Sequence, residues 1–204
     1  MPDQYVENKR VYLPSTFFGA LWVTSKHSGP FMMLVFLGGS LIGRIVYGNI
    51  NIFDLFLPIL SFFSLGFIEW SLHYYIWHEN PLPIINKPLK TPLVRMHRLH
   101  HDFPDDLNTL FFGWKAVVVA TLLVWFSVII VFDDVGLALT LIFSFSLILF
   151  VHEYAHFVAH SNINPKALWL KEIINNHRLH HFKDETKWMG VSSTLPDKLF
   201  GTGD

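Results

Sequence analysis

The sequence predicts an all-α fold that crosses a membrane four times, in two helical hairpins. Three observations carry this reading. Residues 116–132 and 135–151 are apolar and uncharged, each just long enough to span a bilayer as a helix. Two weaker runs precede them: 31–48, interrupted only by Arg44, and 52–68, interrupted only by Asp54 and carrying Pro58. Composition agrees, with 51% hydrophobic and 15% charged residues in a 204-residue chain, against about 25% charged in an average soluble domain.

Taken in order, residues 1–29 read as an N-terminal cytoplasmic arm. It is polar at its start (Asp3, Gln4, Glu7, Asn8, Lys9, Arg10) and lacks the apolar core of a secretory signal, so no cleaved peptide is expected. Residues 30–204 form the membrane domain, with spans at about 30–49, 52–79, 113–132 and 135–161. Short turns at 49–51 and 133–134 join the members of each hairpin. All lysines and arginines except Arg44 fall in the arm, in 79–115 or in the C-terminal tail. An even number of spans separates these regions, so they share one face, and positive charge marks that face as cytoplasmic. The expected location is a bacterial inner membrane, or the endoplasmic reticulum if the chain is eukaryotic. A helix over 52–79 is about 42 Å long at ~1.5 Å per residue and overruns a ~30 Å hydrocarbon core, so its last turns emerge on the cytoplasmic side. Pro81, Pro83, Pro88 and Pro92 stiffen the crossover, and Pro92 and Pro165 read as first-turn prolines of two helices lying on the membrane surface.

Those two surface helices end in the same pentapeptide, His-Arg-Leu-His-His, at 97–101 and 177–181. A spaced histidine pair precedes each: His73 and His78, then His156 and His160. Ten of the twelve histidines therefore fall in two matching sets. Imidazole is the commonest side-chain ligand for transition metals, and ten in register fill two metal sites. In His-x-x-His-His the outer rings are about 40° apart around the helix and the fourth position about 60° to the other side, so all three project within one arc. On these grounds His97, His100, His101, His177, His180 and His181 are metal ligands, as are His156 and His160, one turn apart. His73 and His78 sit about 140° apart on an ideal helix; a local bulge, or ligation to different ions, reconciles them. Matching histidines are offset by 83, 82 and then 80 residues, which points to a duplicated helical hairpin. His152 continues the His156/His160 stripe and is either a further ligand or a structural group. Glu69, Glu153, Asp102, Asp105, Asp184 and Asn176 flank the histidines and are candidate acceptors for the ligands' second N–H. With no cysteine, thiolate chemistry and disulfides are excluded. The net charge of -1 and the lack of a basic stripe give no reason to expect nucleic acid.

The combination His73-x4-His78, His97-x2-His100-His101, His156-x3-His160 and His177-x2-His180-His181 resembles the fatty acid hydroxylase and sterol desaturase superfamily of membrane di-iron enzymes. The resemblance covers about residues 65–203, including the tail from Gly190 through Asp197 to Gly201, and is nearest to small bacterial members. It implies a four-helix membrane domain with a cytoplasmic histidine-bound di-metal centre. Two iron ions are the implied cofactor (zinc being possible as purified), with dioxygen as co-substrate and a lipid or fatty acyl chain as substrate. Electrons are expected from a separate electron-transfer protein. Hydroxylation is the expected reaction. Desaturation or carotenoid ring hydroxylation at the same centre is the near alternative, and a non-catalytic membrane metal-binding protein is the alternative of another class.

Overall fold

In the computed structural model, which describes residues 13–203, every regular element is helical. Four helices are long and apolar enough to cross a bilayer: α2 (Ser28–Tyr47), α3 (Phe53–Leu72) with the π-helical turn His73–Trp77 that prolongs it, α6 (Trp114–Phe132) and α7 (Val135–His160). They follow the expected spans to within a few residues. Their outward faces expose Val46, Phe63, Leu123, Ile130 and Val131, a surface suited to lipid rather than water.

Helix α7 is the hub, packing against α2, α3 and α6. It does so through small and hydroxylated residues, Gly136, Ala138, Thr140, Ser144 and Ser146. These let backbones approach where no hydrophobic driving force separates helix from lipid. At the end of the bundle remote from the histidines, Arg44 of α2 pairs with Asp54 of α3 at 2.6 Å, and Thr140 of α7 also bonds Asp54. Asp133 takes a left-handed conformation in the α6–α7 turn, and Asp134 caps α7 by accepting from Leu137 N–H at 2.9 Å.

The cap comprises α4 (Pro92–Asp102), the single turn α5 (Leu107–Leu110), α8 (Leu168–Phe182) and α9 (Leu195–Phe200). Pro92 opens α4 as expected. Pro165 does not open α8, which starts at Leu168. Pro165 is buried in the connector near Ile163, so the chain turns through Lys166 and Ala167 before coiling. The N-terminal arm also differs from an all-polar reading. Residues Phe17–Lys26 form a helix, α1, capped by Thr16 and packed on α7. The polar residues 3–10 lie outside the described residues. Ala20 joins Leu110, Phe111, Phe157, Val158, Ile163 and Ile174 in the apolar core beneath the cap. Gly29 allows the start of α2 to press against the Phe112 carbonyl, where any Cβ would collide.

Candidate metal centre

Helices α3 and α7 end on the same side of the bundle, and α4 and α8 carry the two pentapeptides across those ends. The ten imidazoles converge into two groups. One comprises His73, His78, His97, His101 and His180; the other His100, His156, His160, His177 and His181. In each, one ring nitrogen per residue lies within 4.8 Å of all the others. Each hairpin thus supplies four rings to its own group and lends the middle histidine of its pentapeptide to the other. Corresponding distances match: His73–His97 and His156–His177 ring centroids are both 4.7 Å apart, and His97–His101 and His177–His181 both 4.6 Å. His73–His180 at 4.5 Å corresponds to His100–His156 at 4.7 Å. This approximate two-fold relation supports a duplicated hairpin.

The unequal spacing of the paired histidines has a local cause. His156 and His160 lie one α-turn apart. His73 and His78 have an additional residue between them, and the chain absorbs it as a π-helical turn, with His78 N–H donating to His73 C=O at 3.0 Å. The wider turn brings both rings to one face and into the same group.

These rings are fitted to hold cations. His73 Nδ1–H donates to the Met189 carbonyl at 2.6 Å and His180 Nδ1–H to that of Lys187 at 2.7 Å. Spending the proton there leaves the Nε2 lone pair of each ring facing the group. The facing nitrogens are close: His78 Nε2 lies 3.2 Å from His73 Nε2, 3.0 Å from His97 Nε2 and 3.1 Å from His180 Nε2. In the second group, His160 and His177 Nε2 are 2.9 Å apart. His156 Nε2 and both nitrogens of His100 and His181 are buried with no partner among the described residues. Burial, reinforced by neighbouring imidazoles, holds His97 and His177 well below the usual histidine range. Burial first, then its neighbours, pushes His78 down to about 4, His180 to about 3 and His100 to about 2. The cap histidines are therefore neutral bases at pH 7, as metal ligation requires, and their crowded lone pairs are relieved by a cation.

The remaining candidates take other places. Glu69, almost fully buried, accepts the Nδ1–H of His152 at 3.0 Å and the N–H groups of Val191 and Ser192. His152 thus stands outside both groups, held by a carboxylate. Glu153 accepts from the Phe112 N–H at 3.1 Å, not from an imidazole. Asn176 donates to Asp197 at 3.0 Å, and Asp184 closes its own turn by accepting from Thr186. Asp102 and Asp105 are exposed, with no hydrogen bond to an imidazole among the described residues; they flank the pentapeptide on the solvent side of α4. The carbonyls of Lys187 and Met189 do what these carboxylates were expected to do. Backbone carbonyls leave no side-chain trace in a sequence.

Asp197 organises those carbonyls. It accepts from Met189 N–H (2.9 Å), Gly190 N–H (2.8 Å), Asn176 and Thr202 Oγ1 (2.6 Å), and is itself buried. Gly190 is required because a Cβ there would collide with the Ser193 carbonyl. Glu185, with its carboxylate 3.7 Å from His101 Nδ1, is a further acidic neighbour that no spacing argument singles out.

An apolar cavity of about 610 Å³ opens beside the groups, lined by Trp77, Leu93, Met96, Phe111 and Phe112. His97, His100, His152 and His156 reach its wall, so both groups border it.

Comparison with known proteins agrees with this architecture. Residues 58–202 match the family model described as fatty acid hydroxylase. The dihydroceramide fatty acyl 2-hydroxylase FAH2 of Arabidopsis thaliana is 26% identical over 141 residues, 68% of this chain and 59% of its own length. The fatty acid 2-hydroxylase of Mus musculus is 26% identical over 71% of this chain and 38% of its own. The ceramide very long chain fatty acid hydroxylase scs7 of Schizosaccharomyces pombe is 25% identical over 71% and 41%. The match therefore spans between about two-fifths and three-fifths of these relatives' lengths. The solved structure of full-length scs7p, in which only the hydroxylase domain is visible, shares the fold, with a TM-score of 0.63 at 20% identity over 90% of this chain and 66% of that one.

Proposed function

The chain belongs to the fatty acid hydroxylase family, and on that premise we propose that it is a membrane oxygenase that hydroxylates a lipid or fatty acyl chain. The observation that carries the proposal is the pair of five-imidazole groups bordering one apolar cavity. Two iron ions held there would supply the reduction of dioxygen, with two electrons and two protons, that turns a C–H bond into C–OH and releases water. The electrons come from a separate carrier protein.

The protein's own contribution is placement. His73 and His180 are fixed in tautomer and direction by the Met189 and Lys187 carbonyls. Trp77, Leu93, Met96, Phe111 and Phe112 form a wall that accepts an acyl chain and keeps water away, so that one carbon is presented to the groups. The cap faces the cytoplasm, the side on which the lysines and arginines gather, of a bacterial inner membrane or, in a eukaryote, of the endoplasmic reticulum.

The test is lipid profiling of cells with and without the chain. A gain of one oxygen in an acyl lipid is expected, whereas a loss of two hydrogens would indicate desaturation. His100→Ala and His180→Ala, each of which removes a ring from the group of the opposite hairpin, are expected to abolish turnover with membrane insertion intact. Retained turnover in both variants would rule out the assignment.

A further inference from the structure

We infer that His152, held by Glu69, is a hydrogen-bond acceptor for the polar end of the lipid, selecting acyl lipids that carry an N–H or O–H donor near the oxidised carbon. The inference deepens the lipid-oxidising reading and rests on it. His152 lines the apolar cavity but belongs to neither imidazole group. Its Nδ1 is engaged at 3.0 Å by Glu69. The same carboxylate is anchored by two backbone N–H groups, Val191 and Ser192, so Glu69 is an acceptor on every side and the proton of the neutral ring sits on Nδ1. The Nε2 lone pair is then the free end. It has no hydrogen bond among the described residues, and it is not among the sealed, partnerless nitrogens. The ring sits between Trp77 and Phe112, with centroids 6.0 and 6.2 Å away. A lone pair among aromatic walls is matched by a donor on the ligand and by nothing else in that part of the cavity.

Position adds a second consequence. His152 precedes His156 by one turn on α7, and their ring centroids are 5.8 Å apart. A lipid tethered at His152 therefore presents carbons only a few bonds from its polar group to the second imidazole group. The rest of the chain runs past Leu93 and Met96, which are exposed at the edge of the cavity.

The experiment is displacement of a fluorescent acyl probe from the purified full chain in nanodiscs, without turnover. The competitors are a long-chain N-alkyl amide, its N-methyl counterpart and the ester of the same length. The unsubstituted protein should bind the N–H amide about tenfold more tightly than the other two, the scale of one hydrogen bond in an apolar setting. His152→Phe should erase the difference by weakening only the N–H amide, and His152→Gln, which keeps an acceptor oxygen, should retain part of it. Equal displacement by amide and ester from the unsubstituted protein would overturn the inference even if the variants failed to fold. So would a preference that survives His152→Phe. With turnover, product hydroxyls should lie near the polar group and spread along the chain in His152→Phe, with KM raised more than kcat is lowered; hydroxyls remote from the polar group in the unsubstituted enzyme would also overturn it. Binding preference without any oxygenation would count against the oxygenase reading alone, and oxygenation without preference against the His152 subsite alone.

Discussion

Replacing Asp197 with alanine is expected to loosen the metal centre although Asp197 touches no imidazole. Its carboxylate accepts from two buried backbone N–H groups, those of Met189 and Gly190. Asn176 and Thr202 also donate to it, but each has another partner: the Gly190 carbonyl lies 3.4 Å from Asn176, and Trp70 donates to Thr202 at 2.9 Å. Alanine therefore orphans two N–H groups, at ~1–3 kcal/mol each, or about 2–6 kcal/mol in all. The loss falls on the segment that presents the Met189 and Lys187 carbonyls to His73 and His180. Losing such ring-orienting partners typically costs ~10–100-fold in metal affinity. The assay is metal content after titration with a competing chelator, read beside thermal unfolding of the same detergent-solubilised protein. Asp197→Asn, which keeps one acceptor oxygen but turns an amide toward existing donors, should fall between. An Asp197→Ala protein with unchanged metal affinity and thermal midpoint would refute the reasoning.

Two further outcomes follow from the same geometry. In protein stripped of metal, His78 and His180 are neutral when folded, with values of about 4 and about 3, whereas in the unfolded chain they protonate near ~6.5. The unfolded state therefore binds more protons as the medium is acidified. Stability should fall as pH drops below ~6.5, by ~1 kcal/mol per ring over the first unit, with the loss complete near 4 for His78 and 3 for His180. Denaturation at about pH 7, 6 and 5 measures this, and a flat profile contradicts it. At the opposite end of the bundle, Arg44→Met leaves the Asp54 carboxylate without its 2.6 Å partner and should cost about 3–5 kcal/mol. Adding Asp54→Leu should recover most of it. Metal content should be unchanged in both, and a change would mean that the far end of the bundle bears on the centre.

The bundle was legible because bilayer thickness imposes a length on apolar runs, and the ten histidines because their spacing repeats. Which rings share an ion was not. Positions 97, 100 and 101 lie on one arc of one helix, and only the crossing of α4 and α8 sends His100 to the far group. The five-residue step from His73 to His78 signalled either a bulge or separate ions, and the π-helical turn is the bulge. Helix α1 escaped because the polar residues before it dominate the composition of the first thirty. Asp197 stood in a recognisable tail but gave no sign of its role, since its partners are backbone groups brought together by folding.

The lending of His100 and His180 across the middle of the molecule means that neither hairpin owns a complete set of five rings. A precursor made of one hairpin would have reached five only by pairing with a second copy, each giving one ring and receiving one. In the present chain the same trade ties the loading of one ion to the folding of the half that chiefly cradles the other, so a truncated half is a poor trap for metal and the centre assembles as a pair.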